Sequence, residues 1–203
     1  LTKGLCTSKN ALVYDPRTKG KLALIAASQS DFKKDINLFK FRPILSELEN
    51  IFDYILIDSP AGIEEGFSNS IYYAKKAMVV VNPEISSIRD ADRVLALLEN
   101  HRIKKDISLI INRYRKELKK KRYYIPSNEI IELLGAPCVG IVSEDDRVLR
   151  QNNSGIPFVY QSNLQISTEI KEIAEKIIGK KKSKSTKKNQ SKSLWDKMKK
   201  DSS

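Results

Sequence analysis

The chain has 203 residues, of which 40% are hydrophobic and 31% are charged. This composition suffices for one substantial α/β domain and is too small for two large ones. No run approaches the ~20 consecutive apolar residues of a membrane-spanning helix, and no secretory signal is visible near residue 1. Cys6 and Cys138 are far apart in sequence, which indicates a reducing compartment rather than a disulfide framework.

The net charge of +12 is concentrated in two segments. Residues 180–203 contain ten lysines and two aspartates, and residues 115–122 contain six basic residues and one acid. The rest of the chain is nearly neutral, whereas a nucleic-acid-binding domain more often spreads positive charge over a folded face. Two interpretations stay open: a solvated loop with a disordered tail, or a role at an anionic surface.

Five short apolar runs predict strands that are covered on both faces, because their apolar residues are continuous and do not alternate with polar ones. The runs are residues 22–27, 54–57, 77–81, 107–111 and 138–142. Helical spacing of apolar residues predicts helices at 42–51, 87–101, 127–134 and 164–178. We place Pro43 near the start of the first helix, a serine cap at Ser127, and a stop at Gly179. This alternation predicts a doubly wound, mostly parallel α/β sheet with right-handed crossovers.

The composition changes after Gly179. Residues 180–192 contain no apolar residue and are predicted to form a flexible linker. Residues 193–203 follow, and their apolar side chains are Leu194, Trp195 and Met198, surrounded by lysines. This pattern predicts a short membrane-surface helix, although a disordered tail with a chance tryptophan would read the same way. We therefore divide the chain into 1–179, 180–192 and 193–203.

The most informative segment is FDYILIDSPAGIEEG, residues 52–66, in which an apolar run ends at Asp58. Ligands of open α/β sheets bind beyond the carboxyl ends of the strands, where a carboxylate is placed to hold a magnesium-bound water. Gly62 would let the following backbone approach a phosphate closely. The alternative is that Asp58 only caps a turn. A phosphate loop of the form G-x-x-x-x-G-K-[ST] does not occur in these 203 residues.

This segment and VNPEISSIRDADRVLALLE, residues 81–99, resemble the MinD family within the ParA/MinD group of deviant P-loop ATPases. The resemblance continues in DPRTKGKLALIAASQ (15–29), LIINRY (109–114) and VSEDDRVLRQNNSGIP (142–157). It extends from residue 15 to about residue 179. It implies a P-loop NTPase-like fold, ATP and Mg²⁺ as ligands, and ATP hydrolysis.

Family members begin with additional residues that carry the first strand, the glycine-rich loop and switch I. Because the chain begins with Leu1 and lacks those features, we expect a fragment or a processed product that is inactive alone, whereas the complete protein is an ATPase. An unpaired strand edge and exposed apolar surface are expected to accompany this arrangement.

The resemblance also implies roles for individual residues. Asp58 matches the Walker B aspartate that organises Mg²⁺ through water. The residues that match switch II are Ser59, Pro60, Ala61 and Gly62. Asn112 matches the asparagine that reads adenine, and Arg113 follows it beside the base. The residues that match the loop over the adenine are Ser143, Glu144 and Asp145, with proline common in relatives at position 143.

Arg89, Asp90 and Asp92 resemble the surface near the dimer interface that engages partner proteins, or they form an ordinary charged helix start. The resemblance implies an ATP-dependent homodimer that acts in division-site placement in a cell or a plastid. Its implied partners are MinC- and MinE-like proteins and an anionic membrane surface, and nucleic acid is not expected.

The implied location is the cytoplasmic side of a bacterial inner membrane, or the plastid stroma and inner envelope. Two alternatives stay open. One is a ParA-type partitioning ATPase that uses DNA, which the basic segments support. The other is a non-catalytic fragment that binds through its helix surface and tail.

Overall fold

A computed structural model of the chain describes residues 7–26, 38–101, 103, 106–118, 121, 124–160 and 163–179. These residues form two compact units. Among the described residues, the first unit comprises those up to residue 77 together with those in 93–107, and the second comprises those in 78–92 and those from residue 108 onward.

The first unit begins with short elements. Helix α1 (Ser8–Ala11) starts after Thr7, whose side chain accepts a hydrogen bond from the Asn10 amide. Strands β1 (Val13–Tyr14) and β2 (Ala23–Leu24) then form a two-stranded antiparallel sheet. The turn between them contains a 3-10 helix, Pro16–Thr18, capped by Asp15.

Two longer helices follow, α2 (Leu38–Glu49) and α3 (Glu65–Ile71). The helix predicted at 42–51 is confirmed, but it begins four residues earlier, so that Pro43 lies inside it. Pro43 has no N–H to donate to the preceding turn, and the helix therefore has one backbone bond fewer near its start. The apolar face of α2 buries Leu45 and Leu48.

One predicted strand is wrong, and another is confirmed only in part. Residues 54–57 form no strand, and Tyr54 and Leu56 are 60% and 78% exposed. A strand requires a hydrogen-bonded neighbour, and among the described residues no ladder forms at this segment. Of the strand predicted at 22–27, the described residues 22–26 contain only β2 as a strand, and β2 pairs with β1 in the antiparallel hairpin. The continuous apolar pattern in both segments indicated burial that the structure does not provide.

The second unit is built on a three-stranded parallel sheet in the order β3-β4-β5. The strands are β3 (Ala77–Val81), β4 (Ile107–Tyr114) and β5 (Cys138–Ser143). These three predictions are confirmed, although β4 continues three residues beyond its predicted end. In the register of β4 and β5, Leu109 lies opposite Cys138 and Tyr114 lies opposite Ser143.

The helices of the chain that follow β3 are α4 (Ile85–Glu99), α5 (Ser127–Leu134), α6 (Arg147–Ser154) and α7 (Gln165–Ile177). The predicted helices at 87–101, 127–134 and 164–178 are confirmed within two residues at each end. The serine cap was wrong, because Pro126 occupies the cap position and Ser127 is the first helical residue. Helices α3 and α6 were not predicted. In α6 only Val148 and Leu149 are apolar, too few to show helical periodicity.

A cluster of apolar side chains forms the core of the second unit between β5 and α7. Its buried members are Val142, Leu164, Ile166 and Ile173. Ile170 and Ile177 of α7 pack against this cluster, as the helical spacing predicted. Gly179 follows the helix with φ 75°, a conformation that suits glycine at a helix end.

The predicted linker 180–192 and the segment 193–203, with Leu194, Trp195 and Met198, lie outside the described residues. Among the helices in the described part of the chain, none has the length and apolar character to cross a membrane.

Candidate functional site

The carboxyl ends of β4 and β5 bring together the residues predicted to bind the base of a nucleotide. Because the two strands are parallel, their carboxyl ends lie at the same edge of the sheet. Asn112 and Arg113 lie near the end of β4, and Ser143 is the last residue of β5. The Glu144 amide donates to the carbonyl of Tyr114 over 3.1 Å. This bond joins the 143–145 loop, which begins with the last residue of β5, to the end of β4.

The end of β4 is irregular. The pairing register with β5 shifts between Ile111 and Tyr114, and Arg113 has φ 54° in the left-handed region. A non-glycine residue in that region costs on the order of 1–3 kcal/mol, and such irregularities re-aim side chains at the edges of sheets. Here the Nε and Nη2 atoms of Arg113 both donate to Oε1 of Glu144, over 3.0 and 2.8 Å. Asn112, immediately before it, is half-buried.

Glu144 pairs with two arginines. Besides Arg113, Arg115 donates from Nε to Oε2 of the same carboxylate. The hydrogen bond from Arg115 is the largest cause that holds the pKa of Glu144 below its ordinary value; burial opposes it, and the Arg113 hydrogen bond adds to it. The carboxylate is therefore ionised at neutral pH and fixes both guanidinium groups at this edge.

The end of β5 is also tied to α7 through Glu169. Its carboxylate accepts hydrogen bonds from the Ser143 amide over 2.7 Å, the Ser143 hydroxyl over 2.8 Å and Gln165 Nε2 over 2.7 Å. Lys116 Nζ lies 3.7 Å away. Burial by itself raises the pKa of Glu169, but the hydrogen bonds from Ser143 and Gln165, with the nearby Lys116, bring the pKa below its ordinary value.

Sequence reasoning did not identify Glu169. It lies 26 residues after Ser143 in a helix that was read only for its apolar spacing. No local pattern marks a carboxylate that reaches the end of another element.

The first two basic residues of segment 115–122, Arg115 and Lys116, face carboxylates at this edge.

Besides its predicted nucleotide contact, Asp145 has a structural role in the described chain. Its Oδ1 accepts a hydrogen bond from the Arg147 amide over 2.9 Å, and its carboxylate pairs with the Arg147 guanidinium over 2.6 Å. The side-chain hydrogen bond from Arg147 is the main cause that lowers the pKa of Asp145. Asp145 therefore stabilises the start of α6, and its contact with a nucleotide stays a prediction.

Asp58 and the predicted switch II residues lie in an exposed loop of the first unit. The Ser59 hydroxyl donates to the Pro60 carbonyl over 3.4 Å, Ala61 is exposed, and Gly62 has φ 92°, which favours glycine. In the described ranges, no three His, Cys, Asp or Glu side chains come close enough to hold a metal together. One carboxylate suffices for Mg²⁺ held mainly by waters and phosphates, so the donor set fits a water-mediated role of Asp58.

Arg89, Asp90 and Asp92 are exposed on α4. Exposure is required of a partner surface and is equally usual for the polar face of an amphipathic helix. Their partner role stays a prediction.

The parallel sheet and its flanking helices define an α/β protein, and its fold matches that of the MinD and ParA P-loop NTPases in solved structures. No protein-family model matches the chain. MinD from Synechocystis sp. is 42% identical over 161 residues, which are 79% of this chain and 60% of that protein. MinD from Bacillus subtilis is 37% identical over 179 residues, 88% of this chain and 67% of that protein. A putative MinD from Emiliania huxleyi is 40% identical over 80% of this chain and 59% of its own length.

Solved structures of MinD proteins are also similar to this chain. MinD from Aquifex aeolicus is 36% identical with a TM-score of 0.80, covering 89% of this chain and 73% of its own, and a MinC:MinD complex from that organism also has a TM-score of 0.80. The chain belongs to the MinD family of septum site-determining proteins. It spans about 60% of the length of the Synechocystis and Emiliania relatives.

More distant structures share the fold. MinD from Pyrococcus horikoshii, complexed with Mg-ADP, is 22% identical with a TM-score of 0.70. A ParA family ATPase from Chlorobium tepidum is 19% identical with a TM-score of 0.67.

Proposed function

We propose that the full-length protein is an ATPase of division-site placement. The observation that carries this proposal is the meeting of two predicted base-binding segments at the ends of β4 and β5, in a chain of the MinD family. Ligands of open α/β sheets bind beyond this edge of the sheet.

Asn112 is proposed to read the adenine through its side-chain amide, which offers both a donor and an acceptor. Arg113 lies beside the base, held by Glu144, and the 143–145 loop covers it. The hydrogen bond from the Glu144 amide to Tyr114 supports this arrangement, because it keeps the loop against the end of β4.

Asp58 is proposed to hold a Mg²⁺-bound water at the phosphate end, with residues 59–62 responding to the γ-phosphate as switch II. Bound Mg²⁺ neutralises charge on the β- and γ-phosphate oxygens during phosphoryl transfer. The exposed loop position of Asp58 supports this role, because its carboxylate is accessible to a hydrated ion. The Mg-ADP complex of the Pyrococcus MinD supports these ligands for the family.

The proposed assembly is a homodimer with ATP that engages MinC- and MinE-like proteins. The MinC:MinD complex from Aquifex supports the first of these partners. Arg89, Asp90 and Asp92 are proposed to contribute to the partner and dimer surface, because all three are exposed on one helix.

The segment 193–203 is proposed to dock the dimer on an anionic membrane through Leu194, Trp195 and Met198. The lysines around these residues would each contribute about 1 kcal/mol near such a surface. The corresponding location is the cytoplasmic side of a bacterial inner membrane, or the stroma and inner envelope of a plastid.

The ParA-type alternative has less support. The relatives at 37–42% identity are MinD proteins, whereas the ParA structure at 19% shares only the fold. Part of the charge that kept this alternative open also faces carboxylates, since Arg115 pairs with Glu144 and Lys116 lies near Glu169.

One experiment separates the alternatives. ATP hydrolysis and sedimentation of the full-length protein are measured with Mg²⁺ in three arms: buffer, anionic liposomes and duplex DNA. We expect Mg²⁺-dependent hydrolysis of ATP and ATP-dependent sedimentation with liposomes. ATP-dependent binding to DNA with a steep salt dependence and no response to liposomes would support the ParA-type function instead. Absence of both ATP hydrolysis and ATP-dependent sedimentation in all three arms would support the non-catalytic alternative.

A further inference from the structure

A carboxylate on α7 contacts the strand end that carries the predicted base-covering loop. Glu169 lies one turn into α7, and only 15% of its side chain is exposed. It accepts hydrogen bonds from both the backbone amide and the hydroxyl of Ser143, the last residue of β5. A single carboxylate therefore fixes the backbone and the side chain of one residue.

The carboxylate itself is held in place. Gln165 donates to Oε1 of Glu169 from one helical turn earlier, and the Lys116 ammonium lies 3.7 Å from the same oxygen. Hydrogen bonds to a charged group are among the stronger ones in proteins, and each here restricts the rotamer of Glu169.

The loop is held from the other side by β4. The next amide along the chain, that of Glu144, donates to the Tyr114 carbonyl, and the Glu144 side chain pairs with Arg113. Two consecutive backbone amides, at Ser143 and Glu144, are thus bound by two different elements, α7 and β4. This fixes the direction of the peptide at the start of the 143–145 loop.

We propose that Glu169 is a positioning residue of the nucleotide site, which holds the 143–145 loop in the conformation that contacts the base. This inference rests on the proposed function, because it assigns the loop to a bound nucleotide. Glu169 acts through Ser143 and does not itself touch the ligand. A loop ordered before binding does not have to be ordered by the ligand, so removing Glu169 reduces affinity for the nucleotide.

The test compares Glu169→Ala and Glu169→Gln with Glu175→Ala, which removes an exposed carboxylate from the same helix. Binding of fluorescent ATP and GTP analogues to the full-length protein is measured at a temperature well below unfolding. We expect Glu169→Ala to weaken ATP binding about tenfold and to reduce the preference for ATP over GTP. The ATP affinity of Glu169→Gln should lie between those of the wild type and Glu169→Ala, because an amide oxygen still accepts a hydrogen bond from the Ser143 N–H. Glu175→Ala should match the wild type.

A role in stability alone would lower the melting temperature and leave affinity and base preference of the folded protein unchanged, which overturns the proposal. Hydrogen exchange provides a readout without nucleotide: the Ser143 amide should exchange faster in Glu169→Ala than in Glu175→Ala. Unchanged exchange at Ser143 also overturns it. If the wild type binds neither analogue, the proposed function itself fails; if it binds ATP and the Glu169 variants bind equally well, only the positioning role fails.

Discussion

A Cβ atom at Gly140 would lie 2.2 Å from Cγ1 and 2.7 Å from Cδ1 of Ile173. Gly140 lies within β5 and Ile173 is a buried residue of α7, so this glycine sets how closely the helix approaches the sheet. At Gly140 glycine is required by the close approach of a side chain and not by a positive φ. The glycines with a positive φ are Gly20, Gly62, Gly135, Gly155 and Gly179.

Gly140→Ala should therefore destabilise the protein by about 1–3 kcal/mol, because the core must shift to admit one methyl group. Urea unfolding of the full-length protein measures the change. In an Ile173→Ala background the same substitution should be close to neutral, since only the Ile173 Cβ at 3.6 Å remains nearby. Equal stability of Gly140→Ala and the wild type would contradict this packing.

The Glu144 ion pairs predict a pH-dependent contribution to stability. Because folding lowers the pKa of Glu144, chiefly through the Arg115 hydrogen bond, the stabilisation is present above the unfolded value near 4.5. It is lost as the pH falls through the lower, folded value. At pH 7, Glu144→Gln should cost about 0.5–1 kcal/mol, since both arginines are largely exposed.

Thermal unfolding from pH 7 to pH 3 provides the measurement. The difference between the wild type and Glu144→Gln should shrink below about pH 4.5. Glu132→Gln, an exposed position on α5, is the control and should follow the wild type throughout. A difference that stays constant down to pH 3 would argue against an ionised Glu144 in these pairs.

Asn112→Ala should weaken ATP binding by roughly 1–3 kcal/mol, because a buried adenine edge loses its hydrogen-bond partner. The preference for ATP over GTP should narrow as well. Calorimetric titration of the full-length protein measures both, with the exposed Asn153→Ala as the control. If affinity and base preference both stay at wild-type levels, Asn112 is only a strand-end residue.

Asp58→Ala should greatly reduce ATP hydrolysis in the full-length protein, since the Mg²⁺-bound water loses its anchor. Turnover is measured at saturating Mg²⁺-ATP. Asp53→Ala removes another exposed carboxylate five residues earlier and should leave turnover unchanged. If Asp58→Ala hydrolyses ATP as fast as the wild type, Asp58 has no catalytic role and only caps its turn.

Leu194→Glu/Trp195→Glu should abolish sedimentation with anionic liposomes in the presence of ATP. The segment has only three apolar residues, so a single tail binds weakly, and two tails on a dimer bind better through effective concentration. Ser191→Glu/Ser193→Glu adds the same charge outside the apolar residues and is the matched control. If the wild type and the Leu194/Trp195 variant sediment equally, the segment does not bind the membrane and is only an extension of the linker.

The strands β3, β4 and β5 and the helix α7 followed from local sequence, because each combines a strong apolar pattern with a clear boundary. The strand predicted at 54–57 had the same pattern and was wrong. An apolar run records only the tendency to be buried, whereas a strand also needs a neighbour with which to exchange hydrogen bonds. That neighbour is decided by tertiary structure.

In the candidate site, too, local sequence predicts some features and tertiary structure decides others. The sequence motifs were sufficient to identify the family to which the chain belongs. The nucleotide-binding roles that they predict for 112–113 and 143–145 stay predictions. The contacts of Glu169 with Ser143, and of Arg113 and Arg115 with Glu144, arise from residues 26 to 31 positions apart. Hydrogen bonds between such residues depend on the register of β4 with β5 and on the placement of α7. Only the folded chain defines these, because no spacing along the sequence records which side chains meet at an edge of the sheet.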